Sequence, residues 1–202
     1  VAAICAKYPG AYWRKLEDTT GYATEFVKEL TDAGFLSALV PEEYGGAGLP
    51  LRAGGVILEE IHAAGCEGSS CHAQMYMMHM LLRNGSKAQK DKYLPGIASG
   101  EIRFQSFGVT EPTTGSNTLQ LKTQAVRDGD HYVVNGQKIW TSTAHHADWC
   151  FVLVRTDPHA RKRQEGISFL LVDMKTPGIE VRPIISIDGS HHLNEVFFTN
   201  VR

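Results

Sequence analysis

Apolar side chains recur at helical spacing through the first half of the chain. From Tyr22 to Ala33, Phe26, Val27, Leu30 and Ala33 fall three and four residues apart, and Gly34 follows as a stop, so this stretch predicts a helix. A Gly-rich loop, Tyr44 to Gly48, separates it from a second helix carrying Val56, Ile57, Leu58 and Ile61. A third helix spaces Cys71, Met75, Met78 and Leu82 along one face and ends at Asn84-Gly85. The fourth opens with Ser86 and Gln89, the spacing of a capping box, and runs to about Gly100. Four helices with short joints predict a bundle.

After about Arg103 the period becomes two. Leu121 to Arg127, His131 to Val134, Cys150 to Arg155, Ile167 to Asp173 and Val196 to Phe198 are rich in β-branched and aromatic residues. Asp128-Gly129, Asn135-Gly136 and Pro177-Gly178 are expected to be turns between strands. The spacing leaves no room for crossover helices, so the expected sheet is largely antiparallel, a small barrel or sandwich. The fold class is therefore α+β: an N-terminal helical bundle domain over 1–102, then an antiparallel β-barrel or sandwich domain over 103–202. The boundary is a change of period and not a flexible linker.

Composition narrows the functional classes. Across 202 residues, 43% are hydrophobic and 21% charged, the balance of an ordinary globular protein. A net charge of -2 offers no field for nucleic acid or an anionic membrane, and no apolar run suits a spanning helix. Cys5, Cys66, Cys71 and Cys150 lack framework spacing, which favours a reducing compartment over a disulfide scaffold. Val1 stands where an unprocessed chain has Met, so earlier residues are expected.

Two stretches are odd for a plain sheet. Phe107-Gly-Val-Thr-Glu-Pro-Thr-Thr-Gly-Ser-Asn-Thr118 gathers hydroxyls, two glycines and a proline into a loop just after a strand. Its backbone N–H groups and hydroxyls suit phosphate or carbonyl oxygens. In Asn135-Gly-Gln-Lys-Ile-Trp-Thr-Ser-Thr143 an indole is followed by three hydroxyl side chains, a sensible wall for a planar ring rich in heteroatoms. Each also has an ordinary explanation: such loops are commonly turns, and a strand Trp is commonly core. Residue chemistry alone reaches a ligand-binding helical and β protein and stops there.

Together the two stretches resemble the paired flavin-binding motifs of the acyl-CoA dehydrogenase family, Thr-Glu-Pro-x-x-Gly-Ser-Asp and Lys-x-Trp-Ile-Thr/Ser, at the family's spacing. Further matches run along the chain in order. They are Val40-Pro-Glu-Glu-Tyr-Gly-Gly-Ala-Gly48, Leu58-Glu-Glu-Ile61, Lys92-Tyr-Leu-Pro95, Ser99-Gly-Glu101, Tyr132-Val-Val-Asn-Gly-Gln-Lys138 and Thr176-Pro-Gly-Ile179.

The resemblance implies FAD as cofactor and an acyl-CoA thioester as substrate, converted to the trans-2-enoyl-CoA in lipid metabolism. It implies an electron-transferring flavoprotein as acceptor, a homotetramer or homodimer, and a cytoplasmic location, or the mitochondrial matrix in a eukaryote. Family members continue into a C-terminal helical domain that carries the catalytic Glu, so no residue of this chain is assigned as base. By the same resemblance, Phe107, Val109 and Thr110 line the flavin ring and its polar edge, and Trp140 covers its face or edge. Thr141 and Ser142 supply polar contacts near N5, and Ser116 lies near the cofactor's phosphates and the substrate's pantetheine arm. Asn117 departs from the usual Asp but accepts the same bonds. Glu111 is expected to be a structural carboxylate. The same fold also hosts oxidases, and a non-catalytic subunit of a hetero-oligomer is a third reading.

Other polar clusters draw no role. His62, Cys66, Cys71 and His72 lack compact zinc spacing, so no metal is expected and helix packing accounts for them. His145 and His146 border an acyl chamber or sit in an exposed loop, and His191 and His192 are given no function. The run Arg161-Lys-Arg163 is a solvated loop or a contact for a CoA phosphate.

Overall fold

The computed structural model describes residues 1–19 and 21–202, which divide into two compact units, Val1–Phe104 and Gln105–Arg202. The first is helical: α1 (Ala2–Cys5), α2 (Gly10–Asp18), α3 (Thr24–Asp32), α4 (Leu51–Ala63), α5 (Ser69–Asn84) and α6 (Lys87–Ser99). The second holds β1 (Phe104–Gly108, beginning at the boundary), β2 (Gln124–Asp128), β3 (His131–Ser142), β4 (Trp149–Arg155), β5 (Ile167–Asp173), β6 (Ile179–Ile184) and β7 (Leu193–Val201). The α+β class read from the sequence holds.

Local signals account for the helix ends. Ser86 accepts from the Gln89 backbone N–H at 3.2 Å, and the Gln89 side chain accepts from the Ser86 N–H at 2.9 Å, closing the box at the head of α6. Gly100 ends that helix at φ 81, a conformation that costs little only without a Cβ. Phe26, Val27 and Leu30 are buried on α3 as their spacing requires. On α5 the buried face is wider than expected: Gln74 and Met77 join Cys71, Met75, Met78 and Leu81, while Leu82 is half-buried. Val56 does not join the core of its unit, being 57% exposed.

The short helices α1 and α2 lie outside the four expected. No α2 residue is fully buried, so its apolar stripe is weak. Aromatic edges support it instead: Tyr8, Tyr12, Trp13 and Phe26 meet edge-on with ring centroids 4.8–5.2 Å apart.

The strands form one sheet in the order β1-β4-β2-β3-β7-β6, with β5 beside β4. Pairing is antiparallel in β2–β3, β3–β7, β4–β5 and β6–β7, and Gln124 pairs in parallel with Arg155 to join β2 to β4. The core of this unit gathers Ala125, Val134, Val152, Val154, Val196 and Phe198.

Asp128-Gly129 is the expected hairpin turn, with Gly129 at φ 60. Asn135-Gly136 is not a turn, because β3 runs straight through it. Gly136 is needed there for closeness: a Cβ would stand 2.6 Å from the Thr123 Cα. Asn135 meanwhile trades hydrogen bonds with Asn200 across an irregularity in the β3–β7 register.

Candidate functional site

Two neighbouring backbone segments of the β unit carry the candidate chemistry, and a buried ion pair joins them. The loop after β1 folds into a tight turn in which Glu111 and Thr114 exchange backbone hydrogen bonds of 2.9 and 3.0 Å. This turns the Glu111 carboxylate inward, where it is only 4% exposed. One carboxylate oxygen accepts from the Lys122 N–H at 2.6 Å, and the other accepts from the Thr123 N–H at 2.8 Å and Lys138 Nζ at 2.9 Å. The fully buried Lys138 ammonium also donates to the Val109 carbonyl at 3.2 Å. Beside it the Ile139 N–H donates to the Thr110 carbonyl at 2.9 Å.

Charges taken out of water persist only when paired and hydrogen-bonded. Burial pushes the Glu111 carboxyl up, but Lys138 and the two backbone donors outweigh it and hold the group below the usual carboxylate range. Burial pulls the Lys138 ammonium down against the raising influence of Glu111. Each charge is opposed by burial and favoured by its partner, as in a buried ion pair. Glu111 is thus engaged on both oxygens, away from solvent.

Strict alternation along β3 would place Lys138, Trp140 and Ser142 on one face. The structure breaks that rule. Lys138 pairs with Val196 and Thr141 with Asn194, so three steps on β3 face two on β7, a β-bulge. Trp140 takes up the extra residue at φ 61, uncommon for a large side chain. Beyond the bulge the faces exchange: Lys138 and Thr141 point inward, while Trp140 and Ser142 point outward.

The predicted residues consequently divide. Trp140, 54% exposed, and Ser142 share the open side of the strand, and Thr110 is tied to it through Ile139. Val109 is half-buried next to Thr110, and its carbonyl is held by Lys138. The half-buried ring of Phe107 packs on Phe169 at 5.4 Å. Ser116 is exposed farther along the loop. Thr141 differs from its neighbours: its side chain is 1% exposed and its hydroxyl turns into the unit, away from the open side that Trp140 and Ser142 share.

This junction fits a planar heteroaromatic group. An indole more than half exposed, an adjacent outward hydroxyl and a loop edge of Thr110 offer one apolar wall with donors at its rim. Residue reading missed two members of the frame, Lys138 and Asn194. The signal for Lys138 was only its place at the head of the Lys-x-Trp motif. Asn194 carried no local signal.

The histidines are gathered rather than scattered. His145 stacks on His191 at 3.9 Å between ring centroids and lies 4.0 Å from His146. Burial, then the charges of His146 and His191, push the His145 imidazole down from 6.5 to about 4. A group depressed in this way leaves stability intact above its unfolded value and erodes it as pH falls through the folded one. From pH 6.5 toward about 4, the penalty rises by up to about 1.4 kcal/mol per pH unit. We expect His145→Asn to flatten the acid limb of urea-unfolding stability over that range; an unchanged limb would assign it to other groups.

Among the described residues, no group of three or more His, Cys, Asp or Glu is arranged for a metal ion. The four cysteines are free and buried, and Cys66 donates to the Cys5 carbonyl at 3.7 Å. Burial pushes the Cys66 thiol up to about 11 and that of Cys71 to about 12, leaving both protonated.

Comparison with known proteins places the chain in a family. The model of the acyl-CoA dehydrogenase N-terminal domain matches residues 1–101, and that of the acyl-CoA dehydrogenase middle domain matches residues 106–201. The chain belongs to the acyl-CoA dehydrogenase family. It is 42% identical over 176 residues to acyl-CoA dehydrogenase FadE29 of Mycobacterium tuberculosis, covering 87% of this chain and 45% of that protein. Among solved structures, an acyl-CoA dehydrogenase from Geobacillus kaustophilus superposes with a TM-score of 0.91 at 30% identity, covering 99% of this chain and 53% of the other. The ChsE4–ChsE5 complex from Mycobacterium tuberculosis gives 0.85 at 31% identity, covering 100% and 52%. The chain thus spans about half the length of the relatives it matches.

Proposed function

We propose that the chain forms the helical and flavin-facing parts of an FAD-dependent enzyme that desaturates an acyl-CoA thioester to the trans-2-enoyl-CoA. The observation that carries this reading is the bulge at Trp140, which turns an indole and the Ser142 hydroxyl outward beside Thr110. When bound, FAD supplies a two-electron acceptor for the β-hydrogen, which leaves as hydride. The chain's own residues hold and orient. Trp140 walls one side of the ring, Ser142 and Thr110 donate at its edge, and Phe107 and Val109 complete the apolar surface. Ser116 lies toward the phosphates and the pantetheine arm.

The α-proton needs a base within hydrogen-bond reach and with a matched pKa. Glu111 is unsuited: its oxygens are occupied by Lys138 and two backbone donors, and it is held ionised below the usual range. The proton acceptor is therefore another group, which the resemblance makes a Glu of the family's C-terminal helical domain. An electron-transferring flavoprotein as acceptor and a homotetramer or homodimer follow from the same resemblance. Four free, buried cysteines suit a reducing compartment such as the cytoplasm.

The test is anaerobic titration of the full-length protein with acyl-CoA thioesters of graded length. Loss of oxidised-flavin absorbance with stoichiometric enoyl-CoA supports the reading, and a flavin that no thioester bleaches overturns it. Oxygen consumption in air would move the acceptor assignment to dioxygen. Likeness to one member of a two-component complex keeps a second reading in view, a subunit that binds flavin only with a partner chain. Flavin retained by the protein purified alone excludes that reading.

A further inference from the structure

One buried polar network beside the bulge is not absorbed by that reading. Asn194 on β7 is fully buried and faces Thr141 across the sheet. Its amide nitrogen donates to the Thr141 carbonyl at 3.0 Å and lies 3.1 Å from His145 Nδ1, while its oxygen lies 2.8 Å from His191 Nε2. Only one proton arrangement satisfies all three contacts. A carbonyl can only accept, so the Asn194 nitrogen must face Thr141. That nitrogen then donates to His145 Nδ1, which must be unprotonated. The Asn194 oxygen must accept from His191, so His191 carries its proton on Nε2.

A cationic His145 would set its Nδ1–H against the Asn194 NH2, donor against donor. Turning the amide over to relieve this would set its oxygen against the Thr141 carbonyl. Stacking on His191 at 3.9 Å and burial both favour the neutral ring, as does the depressed His145 value of about 4. His145 and His191 together therefore hold the amide in one orientation. The carbonyl that this amide grips belongs to the residue immediately after Trp140, where the faces of β3 have just exchanged.

We propose that Asn194 is a positioning residue for the Trp140–Ser142 segment, its side-chain amide locked between His145 and His191 so that the bulge keeps Trp140 and Ser142 outward. This rests on the flavin reading for its functional consequence, but not for its structural one. Without the lock, the strand can slip by one residue to relieve the positive φ of Trp140, and a one-residue slip reverses both side chains.

The test uses the full-length protein, with backbone hydrogen exchange read by mass spectrometry with and without FAD, and FAD affinity measured alongside. Asn194→Leu keeps roughly the volume and removes every hydrogen bond. We expect exchange across Ile139–Thr143 to rise at least about tenfold, with the other strands of the β unit unchanged, and FAD to bind about tenfold more weakly. His145→Leu removes the acceptor that holds the amide and should follow Asn194→Leu in direction. His145→Asn can present an oxygen to the same NH2 and should restore protection.

Exchange across Ile139–Thr143 that stays within about twofold of the parent in both leucine variants overturns the proposal. So does a uniform rise over the whole β unit, which would mean a purely structural role. Should Asn194→Leu fail to fold, the His145→Leu and His145→Asn pair decides alone. If the parent binds no FAD, the proposed function fails, while exchange in the unliganded protein still decides the lock.

Discussion

Glu111→Gln is expected to destabilise the β unit by about 3–5 kcal/mol while leaving turnover per flavin-loaded molecule largely intact. The carboxylate takes three N–H donors on its two oxygens, from Lys122, Thr123 and Lys138. Glutamine has a single acceptor oxygen, so its NH2 must confront at least one of those donors. It also leaves the fully buried Lys138 ammonium without a counter-charge. Lys138→Met should cost less, because the carboxylate keeps both backbone donors. Glu111→Leu combined with Lys138→Met should recover part of the loss by removing both charges.

Urea unfolding of the single and double variants measures these differences, and a Glu111→Gln loss below about 1 kcal/mol would refute the ion-pair account. Because the folded Glu111 value is depressed, its contribution is complete above the ordinary carboxylate pKa and fades as pH falls through the lowered one. The Gln variant should therefore show a flatter acid limb. Anaerobic flavin bleaching by acyl-CoA separates support from catalysis. If Glu111→Gln abolishes bleaching while FAD remains stoichiometrically bound, Glu111 is the base and the assignment made here is wrong.

The second large effect is on the cofactor. Trp140→Ala should cost about 1–3 kcal/mol of FAD binding, the contribution of an aromatic wall at a binding site. Ser142→Ala should cost about 0.5–1.5 kcal/mol, one hydrogen bond. Thr141→Val is the informative neighbour. Its hydroxyl is buried and has no hydrogen-bond partner among the described residues, so the isosteric loss should leave FAD affinity unchanged and stability equal or higher. Fluorescence titration of FAD into the three apo variants ranks them. Should Thr141→Val weaken FAD as much as Ser142→Ala, the exchange of faces across the bulge does not describe the bound protein.

Much of this molecule is legible without coordinates because its signals are local. The Ser86–Gln89 box, the α3 stripe of Phe26, Val27 and Leu30, and the Asp128-Gly129 hairpin each depend on residues within a few positions of one another. The change of period near Arg103 is local in the same sense, as is the pair of motifs around Thr110 and Trp140 that resembles a family. What the sequence by itself determined is therefore the order and type of the main elements, and where the chemistry is concentrated.

The tertiary structure decided which way that chemistry points. Alternation along β3 puts Thr141 outward; only its pairing with β7, more than fifty residues away, inserts the bulge that turns it inward and Ser142 outward. Lys138 reads as an ordinary strand lysine until the Glu111 turn, 27 residues earlier, folds over it. Asn135-Gly136 has the composition of a turn, yet the close approach of Thr123 makes it the interior of a strand. Asn194 has no local pattern at all, and its role exists only where Thr141, His145 and His191 converge. A one-residue register difference scarcely alters hydrophobic periodicity, but it reverses every side chain beyond it, so long-range pairing had to settle it.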